Sequence, residues 1–136
     1  MSPQFETMRV GLCNGCFDAL HDGHRLFLAA ASNHCDYLIV AVNSDASVKR
    51  LKGQGRPIYP ITQRIEMLQA LCSADAQAII PFDGDVLGLI RLIKPDVLIR
   101  GHDQTAEGGH LATIVKVLRF GTQSTTSNLH AKSSLS

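Results

Sequence analysis

Residues 15–24 read GCFDALHDGH, and this stretch decides the fold. An apolar segment, Met8 to Cys13, precedes it and the helix-forming run LFLAAAS follows it, so it lies where a strand gives way to a helix. In a parallel α/β sheet that junction lies at the carboxyl edge of the strand. The first turn of the helix there directs free N–H groups and a positive dipole end toward a bound anion. The stretch therefore predicts an anion site.

Two histidines in this stretch have the spacing of a phosphate site. His21 and His24 are three residues apart and, on a helix, share one face with Cβ atoms roughly 5–6 Å apart. Gly23 between them has no side chain to hinder an approaching phosphate. Imidazole donates hydrogen bonds to phosphoryl oxygens, and phosphoryl or nucleotidyl transfer needs such donors. The alternative is a core-facing helix stripe containing His24, Phe27, Leu28 and Ala31.

The cysteines raise a second alternative for the same stretch. Cys13, Cys16, His21 and His24 are all zinc-ligand types, but only four residues separate the two pairs. A strand would also direct Cys13 and Cys16 to opposite faces. A redox pair is equally weak, because such pairs usually open a helix, whereas this one straddles the end of a strand. We expect reduced thiols, with Cys13, Cys35 and Cys72 as packing residues.

Apolar runs and helical patterns alternate along the rest of the chain. The predicted strands are Met8–Cys13, Tyr37–Val42, Ala76–Phe82, Val97–Ile99 and Thr113–Leu118. The first predicted helix directly follows the first strand. Three more span Ala46–Leu51, Ile61–Cys72 and Asp85–Ile93, and a last short helix is capped by Ser124. In the helix over 61–72, one face carries Ile61, Ile65, Leu68 and Cys72, and Arg64 lies off it. Such alternation predicts an α/β fold with one doubly wound parallel sheet.

Length and charge limit the class of protein. The 136 residues are enough for one core, so we expect one domain over 8–132, with a flexible arm at 1–7 and a flexible tail at 133–136. The net charge is +1 and no run of Lys or Arg exceeds two residues, so nucleic acid is not an expected partner. Neither a signal peptide nor a membrane span of ~20 apolar residues is evident, so a cytoplasmic location is expected.

Polar residues follow several of the predicted strands. They are Asn43 to Asp45, Gly101 to Asp103 and, opening the last helix, Ser124 to Ser127. Hydroxyls at 124–127 are typical of helix capping, but a helix start that faces the same crevice is also an anion site. The segment VKRLKGQGRPIYP, residues 48–60, carries Lys49, Arg50, Lys52 and Arg56 around two glycines. It is either a solvated surface or a mobile basic loop that closes over phosphates.

The string G-x-F-D-x-x-H-x-G-H resembles the signature of nucleotidyltransferases with the histidine-x-glycine-histidine motif, the cytidylyltransferase-like family. Residues 42–58, VNSDASVKRLKGQGRPI, resemble the adenylyltransferase part of ADP-heptose synthases. Residues 119–126, RFGTQSTT, are similar to the RTEGISTT-type segment of glycerol-3-phosphate cytidylyltransferases. The resemblance covers nearly the whole chain and implies a Rossmann-like nucleotidyltransferase fold and a homodimer.

The resemblance also implies roles for individual residues. The catalytic residues would be His21, His24 and Lys52. The nucleotide would be bound by Cys16, Phe17, His21, His24, Gly101, Asp103, Arg119, Ser124, Thr125 and Thr126. The acceptor would be bound by Asp18, Lys52 and Arg64, although Asp18 equally suits a turn or a cap. The expected cofactor is Mg²⁺, held by phosphates and water with no metal ligand from the protein.

These roles imply that a phosphorylated acceptor attacks the α-phosphorus of a nucleoside triphosphate and releases pyrophosphate. The resemblance favours ATP and D-glycero-β-D-manno-heptose 1-phosphate, with CTP and glycerol 3-phosphate as the alternative. A nucleotide-binding relative without catalysis is the competing class. Three departures bear on the acceptor. Arg100-Gly101-His102-Asp103-Gln104 stands where ADP-heptose synthases usually read KGGDY, and the region up to Thr113 is several residues shorter than in them. No acceptor-binding lysine occurs around Phe82 to Asp85. Because no kinase domain accompanies the sequence, we expect a stand-alone transferase.

Overall fold

The computed structural model describes residues 8–101 and 115–119; for 101 and 115–119 only the backbone is described. The strands are β1 (Val10–Gly15), β2 (Tyr37–Asn43), β3 (Ala78–Phe82), β4 (Val97–Gly101) and β5 (Val115–Arg119). The helices are α1 (Asp22–Ser32), α2 (Asp45–Lys52), α3 (Ile61–Cys72) and α4 (Val86–Ile93). The predicted arm at 1–7, tail at 133–136 and last helix capped by Ser124 lie outside the described residues.

The strands form one five-stranded sheet in the order β3-β2-β1-β4-β5. The first four strands are parallel, which confirms the predicted α/β fold. The fifth strand is antiparallel to β4, so a wholly parallel sheet was wrong at this edge. An apolar run such as TIVKVL predicts a strand but carries no information about its direction, because side chains alternate in the same way in both directions.

Helices cover both faces of the sheet. On one face α1 and α3 pack against β-strand residues such as Cys13 and Val40, with Phe27, Leu28 and Leu68 in the same cluster. On the other face the cluster comprises Leu12, Ala41 and Leu98 with Leu89 of α4, and Ile80, Ile90 and Ile93 lie against it. Strands β1, β2 and β4 are buried on both sides, which explains why they read as nearly continuous apolar runs.

One feature of α3 differs from the sequence prediction. Leu68 and Cys72 are buried as expected, but Arg64, predicted to lie off the apolar face, is fully buried. Its guanidinium is accommodated because oxygen atoms from neighbouring elements accept its hydrogen bonds. The buried surface of α3 is therefore wider than its apolar residues indicate.

The strand order creates a switch point between β1 and β4. From β1 the chain continues to β2 and β3 on one side, whereas β4 and β5 lie on the other. Ligands of open α/β sheets bind outside the carboxyl ends of the strands at such a point. Strands β1 and β4 pair at Gly11–Val97 and Leu12–Leu98. Beyond these two positions, toward their carboxyl ends, the two strands are not paired with each other. None of the helices in the described part of the chain is long and apolar enough to cross a membrane.

Candidate active site

The two histidines begin α1 and cap it with their own side chains. His21 is the N-cap residue in an extended conformation, and its Nδ1 accepts a hydrogen bond from the backbone N–H of Gly23 at 3.0 Å. His24 Nδ1 accepts from the backbone N–H of His21 at 3.2 Å. This is a reciprocal capping box in which imidazoles take the places usually held by Ser or Thr and Glu. The motif therefore stabilises the start of helix α1, in addition to any role in ligand binding.

The capping contacts fix the tautomer of both neutral rings. An Nδ1 that accepts a backbone N–H carries no proton, so each neutral imidazole holds its proton on Nε2. Burial, followed by the nearby charges of His21 and Lys52, lowers the pKa of His24 to about 4. The ring centroids of His21 and His24 are 4.1 Å apart. The helix N-terminus thus presents two adjacent Nε2–H donors. The alternative of a wholly core-facing His24 does not fit, because this residue is only partly buried.

The turn between β1 and α1 holds Phe17 in an unusual backbone conformation. Phe17 has a φ of +50°, a region that bulky side chains rarely adopt, and yet it is 94% buried. Its ring lies 5.7 Å from that of His24, centroid to centroid. A Cβ on Gly15 would lie 3.1 Å from the Phe17 ring, so glycine leaves the space that the ring occupies. Packing against this ring helps to fix the orientation of His24.

Asp18 faces the loop that follows α2, not solvent. Its side chain is 1% exposed and accepts hydrogen bonds from Arg56 Nε at 2.7 Å and from the backbone N–H groups of Ile58 and Tyr59. Burial opposes ionisation, but these three donors outweigh it and lower the pKa of Asp18. Both carboxylate oxygens have partners, and the carboxylate ties the loop to the turn that carries the histidines. A direct contact of Asp18 with the acceptor stays a prediction.

Arg64 links the carboxyl ends of two strands. Its Nη1 donates to the carbonyl oxygens of Cys16, just after β1, and Asn43, the last residue of β2. Its Nε donates to the carbonyl of Tyr59, and Nη2 donates to Asp45 Oδ1 at 2.6 Å. Four of the five N–H donors of this guanidinium are thus occupied by the protein. The acceptor contact that resemblance implies for Arg64 also stays a prediction.

Positive charge converges on Cys16 at the end of β1. Lys52, the exposed last residue of α2, and the arginines 64 and 56 each favour the thiolate of Cys16, although burial outweighs them and raises the pKa of that thiol. Lys52 also acts on His24. The structure therefore brings Cys16, Phe17, His21, His24 and Lys52 to one edge of the sheet. These are five of the residues that the sequence singled out.

Of the remaining candidates, the structure describes only the backbone of Gly101 and Arg119, on strands β4 and β5. Gly101 ends β4 at the same carboxyl edge as the histidine turn. In the antiparallel register Arg119 pairs with Val97, at the amino end of β4, so the described backbone does not bring Arg119 to the histidines. Asp103, Ser124, Thr125 and Thr126 lie outside the described residues. The nucleotide-binding roles of all of these stay predictions.

The cysteines do not assemble a metal site in the described part of the chain. Cys13 is fully buried in the apolar core, where burial above all raises the pKa of its thiol. Within the described ranges, 8–101 and 115–119, no group of three or more His, Cys, Asp or Glu side chains is arranged to hold a metal ion. Cys72 is likewise a core residue and Cys35 packs against the same cluster.

Comparison with known proteins shows the family. The model of the cytidylyltransferase-like family matches residues 12–131. The chain belongs to the cytidylyltransferase-like family. A crystal structure of the lipopolysaccharide core biosynthesis protein from Thermoplasma volcanium has the same fold, with a TM-score of 0.65 at 23% identity over 93% of this chain and 89% of that one. The fold and the nucleotidyltransferase class predicted from GCFDALHDGH are thereby confirmed.

Curated relatives share about half of the aligned residues. The chain is 52% identical over 99 residues, 72% of its length, to a bifunctional protein HldE of Gluconacetobacter diazotrophicus. It is 46% identical over 131 residues, 88% of its length, to a bifunctional protein HldE of Nitrobacter winogradskyi. The chain spans 20% and 26% of those two relatives. The likeness therefore concerns one part of the relatives.

Sequence reasoning missed the contacts that organise this site. Nothing in the sequence pairs Asp18 with Arg56, 38 residues away, or the guanidinium of Arg64 with the carbonyl of Cys16, 48 residues away. The histidine cap is different, since a side chain that accepts at the N-cap and another at the third helical position form a local pattern. It was overlooked because histidine is an unusual residue for both positions.

Proposed function

We propose that this family member transfers the nucleotidyl group of ATP to D-glycero-β-D-manno-heptose 1-phosphate, giving ADP-heptose and pyrophosphate. The reaction type is carried by one observation, the pair of Nε2–H donors at the N-terminus of α1. The choice of substrates rests on about 50% identity to the HldE proteins, and on the resemblance of residues 42–58 to ADP-heptose synthases.

In the proposed reaction the acceptor phosphate oxygen attacks the α-phosphorus of the triphosphate and pyrophosphate leaves in line. Charge that develops on the non-bridging oxygens meets the Nε2–H groups of His21 and His24 and the dipole of α1. Neutral imidazoles suit this task, because they donate without a proton exchange with the substrate. Lys52, whose charge already acts on His24, would add a cation on the β2 side of the histidines.

Mg²⁺ is the proposed cofactor and would be carried by the triphosphate. The carboxylates near the histidines fit this arrangement, because Asp18 is fully engaged by donors from residues 56–59 and Asp45 is bonded to Arg64. The ion would offset the negative charge of the phosphates, and it keeps much of its water when it binds. The protein then has to supply hydrogen-bond donors and not metal ligands.

Pyrophosphate release tests the proposal directly. Purified protein is assayed with each of the four pairs formed by ATP or CTP and heptose 1-phosphate or glycerol 3-phosphate. Mg²⁺ is present in every assay. We expect the ATP and heptose 1-phosphate pair to dominate, since a site that pairs with one base edge leaves its polar groups unsatisfied by the other. Preference for CTP or for glycerol 3-phosphate would refute the substrate assignment. No release with any pair, despite nucleotide binding, would favour a non-catalytic relative.

A further inference from the structure

The Arg56 guanidinium is hydrogen-bonded to the protein through Nε, whereas its two terminal nitrogen atoms have no acceptor in the described part of the chain. Its Nε donates to Asp18 Oδ2 at 2.7 Å, and the carboxylate is 1% exposed whereas the arginine side chain is 33% exposed. Among the residues that the structure describes, none accepts a hydrogen bond from Nη1 or Nη2 of Arg56. The guanidinium thus keeps four N–H donors in a planar fork, the geometry that matches a phosphate group.

The anchor places this fork beside the reaction centre. Asp18 is three residues before His21 and belongs to the same β1–α1 turn. The charge of Arg56 acts on the Cys16 thiol, as does that of Lys52. The buried carboxylate of Asp18, fixed to the histidine turn, orients Arg56 before any ligand binds, which lowers the entropic cost of a contact between Arg56 and a ligand.

The strand order indicates which phosphate Arg56 meets. The loop that carries it follows α2 and therefore approaches β1 from the side of β2, whereas the switch point lies on the side of β4. A nucleotide that occupies the switch point leaves the β2 side to the other substrate. Arg64 is in the same region, but four of its five donors are already engaged by the protein.

We propose that Arg56, oriented by Asp18, binds the phosphate monoester of the acceptor. This inference rests on the proposed function, since it assumes a nucleotide at the switch point and a phosphorylated second substrate. It assigns Asp18 the part of a positioning residue and Arg56 that of the binding residue. The acceptor specificity of the site then depends on a contact between segments 38 residues apart.

Binding measurements separate this inference from turnover. Heptose 1-phosphate is titrated by calorimetry into protein saturated with α,β-methylene-ATP and Mg²⁺, which blocks the reaction. We expect Arg56→Gln to weaken heptose 1-phosphate binding ~10–100-fold, the usual effect of losing a charge-assisted contact, and Arg56→Lys to restore part of it. The dissociation constant of α,β-methylene-ATP alone should change less than about twofold. Steady-state assays should show the same split, with a raised KM for the acceptor.

Arg50→Gln is the matched control, because Arg50 loses the same charge in the same basic segment but its Nη2 donates to the carbonyl of Asp83. It should leave acceptor binding unchanged. Asp18→Asn should weaken acceptor binding, and the double variant with Arg56→Gln should be no worse than Arg56→Gln alone. Unaltered acceptor binding in Arg56→Gln, or weakened binding of α,β-methylene-ATP instead, overturns the inference while the transferase reaction stands. Wild-type protein that binds no phosphorylated acceptor and releases no pyrophosphate refutes the proposed function itself.

Discussion

The Nδ1 and Nε2 atoms of each histidine serve different purposes. Nδ1 satisfies a backbone N–H that the first turn of α1 would otherwise leave without a partner, and Nε2 points its proton away from the helix. One residue therefore contributes to stability through one atom and to transition-state binding through the other. Substitutions that preserve one atom at a time can separate the two contributions.

Asparagine makes that separation possible at His24. The side-chain oxygen of Asn occupies the position of Nδ1, so His24→Asn should keep the cap while losing the outward donor. We expect turnover to fall roughly 10²–10³-fold, as when one oxyanion donor is removed, with stability close to that of the wild type. His24→Ala should lose both, with stability lower by about 1 kcal/mol. Urea unfolding and pyrophosphate release report the two effects, and near-normal turnover in His24→Asn would contradict the mechanism.

The same residue makes stability depend on pH. The pKa of His24 is about 4 in the folded protein, against a usual value of 6.5. As the pH falls below 6.5 the unfolded chain takes up a proton that the folded chain resists until about pH 4, so the free energy of unfolding decreases across that interval. We expect His24→Asn, which has no titrating group there, to show a shallower decrease. Urea unfolding at several pH values between 7.5 and 4 measures it, and equal slopes would show that His24 titrates freely.

At the scale of elements, the sequence predicts what depends on local pattern. The bounds of α3 match the prediction at both ends, because periodicity of apolar residues and Pro60 mark them locally. β2 extends one residue past the predicted Val42. The direction of β5, the burial of Arg64 and the anchoring of residues 56–59 by Asp18 all depend on residues far apart in sequence. No periodicity or composition encodes such contacts, so the candidate site was predicted as residues but not as a network.

That network divides the basic segment, residues 48–60, for which one sequence-based prediction was a loop mobile throughout, into two parts. Helix α2 continues through Lys52, and residues 56–59 are anchored by Asp18 and Arg64. Between them Gly53 and Gly55 have φ values of +95° and +85°, and no atom of the described residues is near enough to contact an added Cβ. We therefore expect any movement over a ligand to be confined to the short stretch 53–55.

Limited proteolysis tests this division. We expect trypsin and subtilisin to cut at 52–55 in the free protein and to spare 56–60, and ATP with Mg²⁺ to slow the cleavage. In Asp18→Asn the cuts should extend into 56–60, because the backbone N–H groups of Ile58 and Tyr59 lose a charged acceptor. Mass spectrometry locates the cuts. Cleavage spread evenly over 49–60 in the wild type would show that the anchors are weak.

For the whole molecule, Arg64 is the residue whose loss should matter most. It connects α3 to the ends of β1 and β2, to the start of α2 and to the loop at Tyr59, and it is fully buried. Arg64→Met would fill similar space but leave three carbonyl oxygens and the Asp45 carboxylate without their donor. We expect the free energy of unfolding to fall by about 3–5 kcal/mol, because three carbonyl oxygens lose their donor at about 1–3 kcal/mol each, whereas the half-exposed Asp45 carboxylate can be solvated.

Comparison with Arg56→Gln makes the Arg64 prediction specific. Arg56 is one third exposed and the buried carboxylate of Asp18 keeps the donors of Ile58 and Tyr59, so loss of Arg56 should lower the free energy of unfolding by only about 1 kcal/mol while acceptor binding suffers. Arg64→Met should show the opposite pattern, with a large loss of stability in urea. The protein that remains folded should bind acceptor and nucleotide more weakly to a similar extent, because the ends of both strands shift. If Arg64→Met were as stable as the wild type and lost only acceptor binding, Arg64 would be a ligand contact and the strand ends would be held by backbone packing alone.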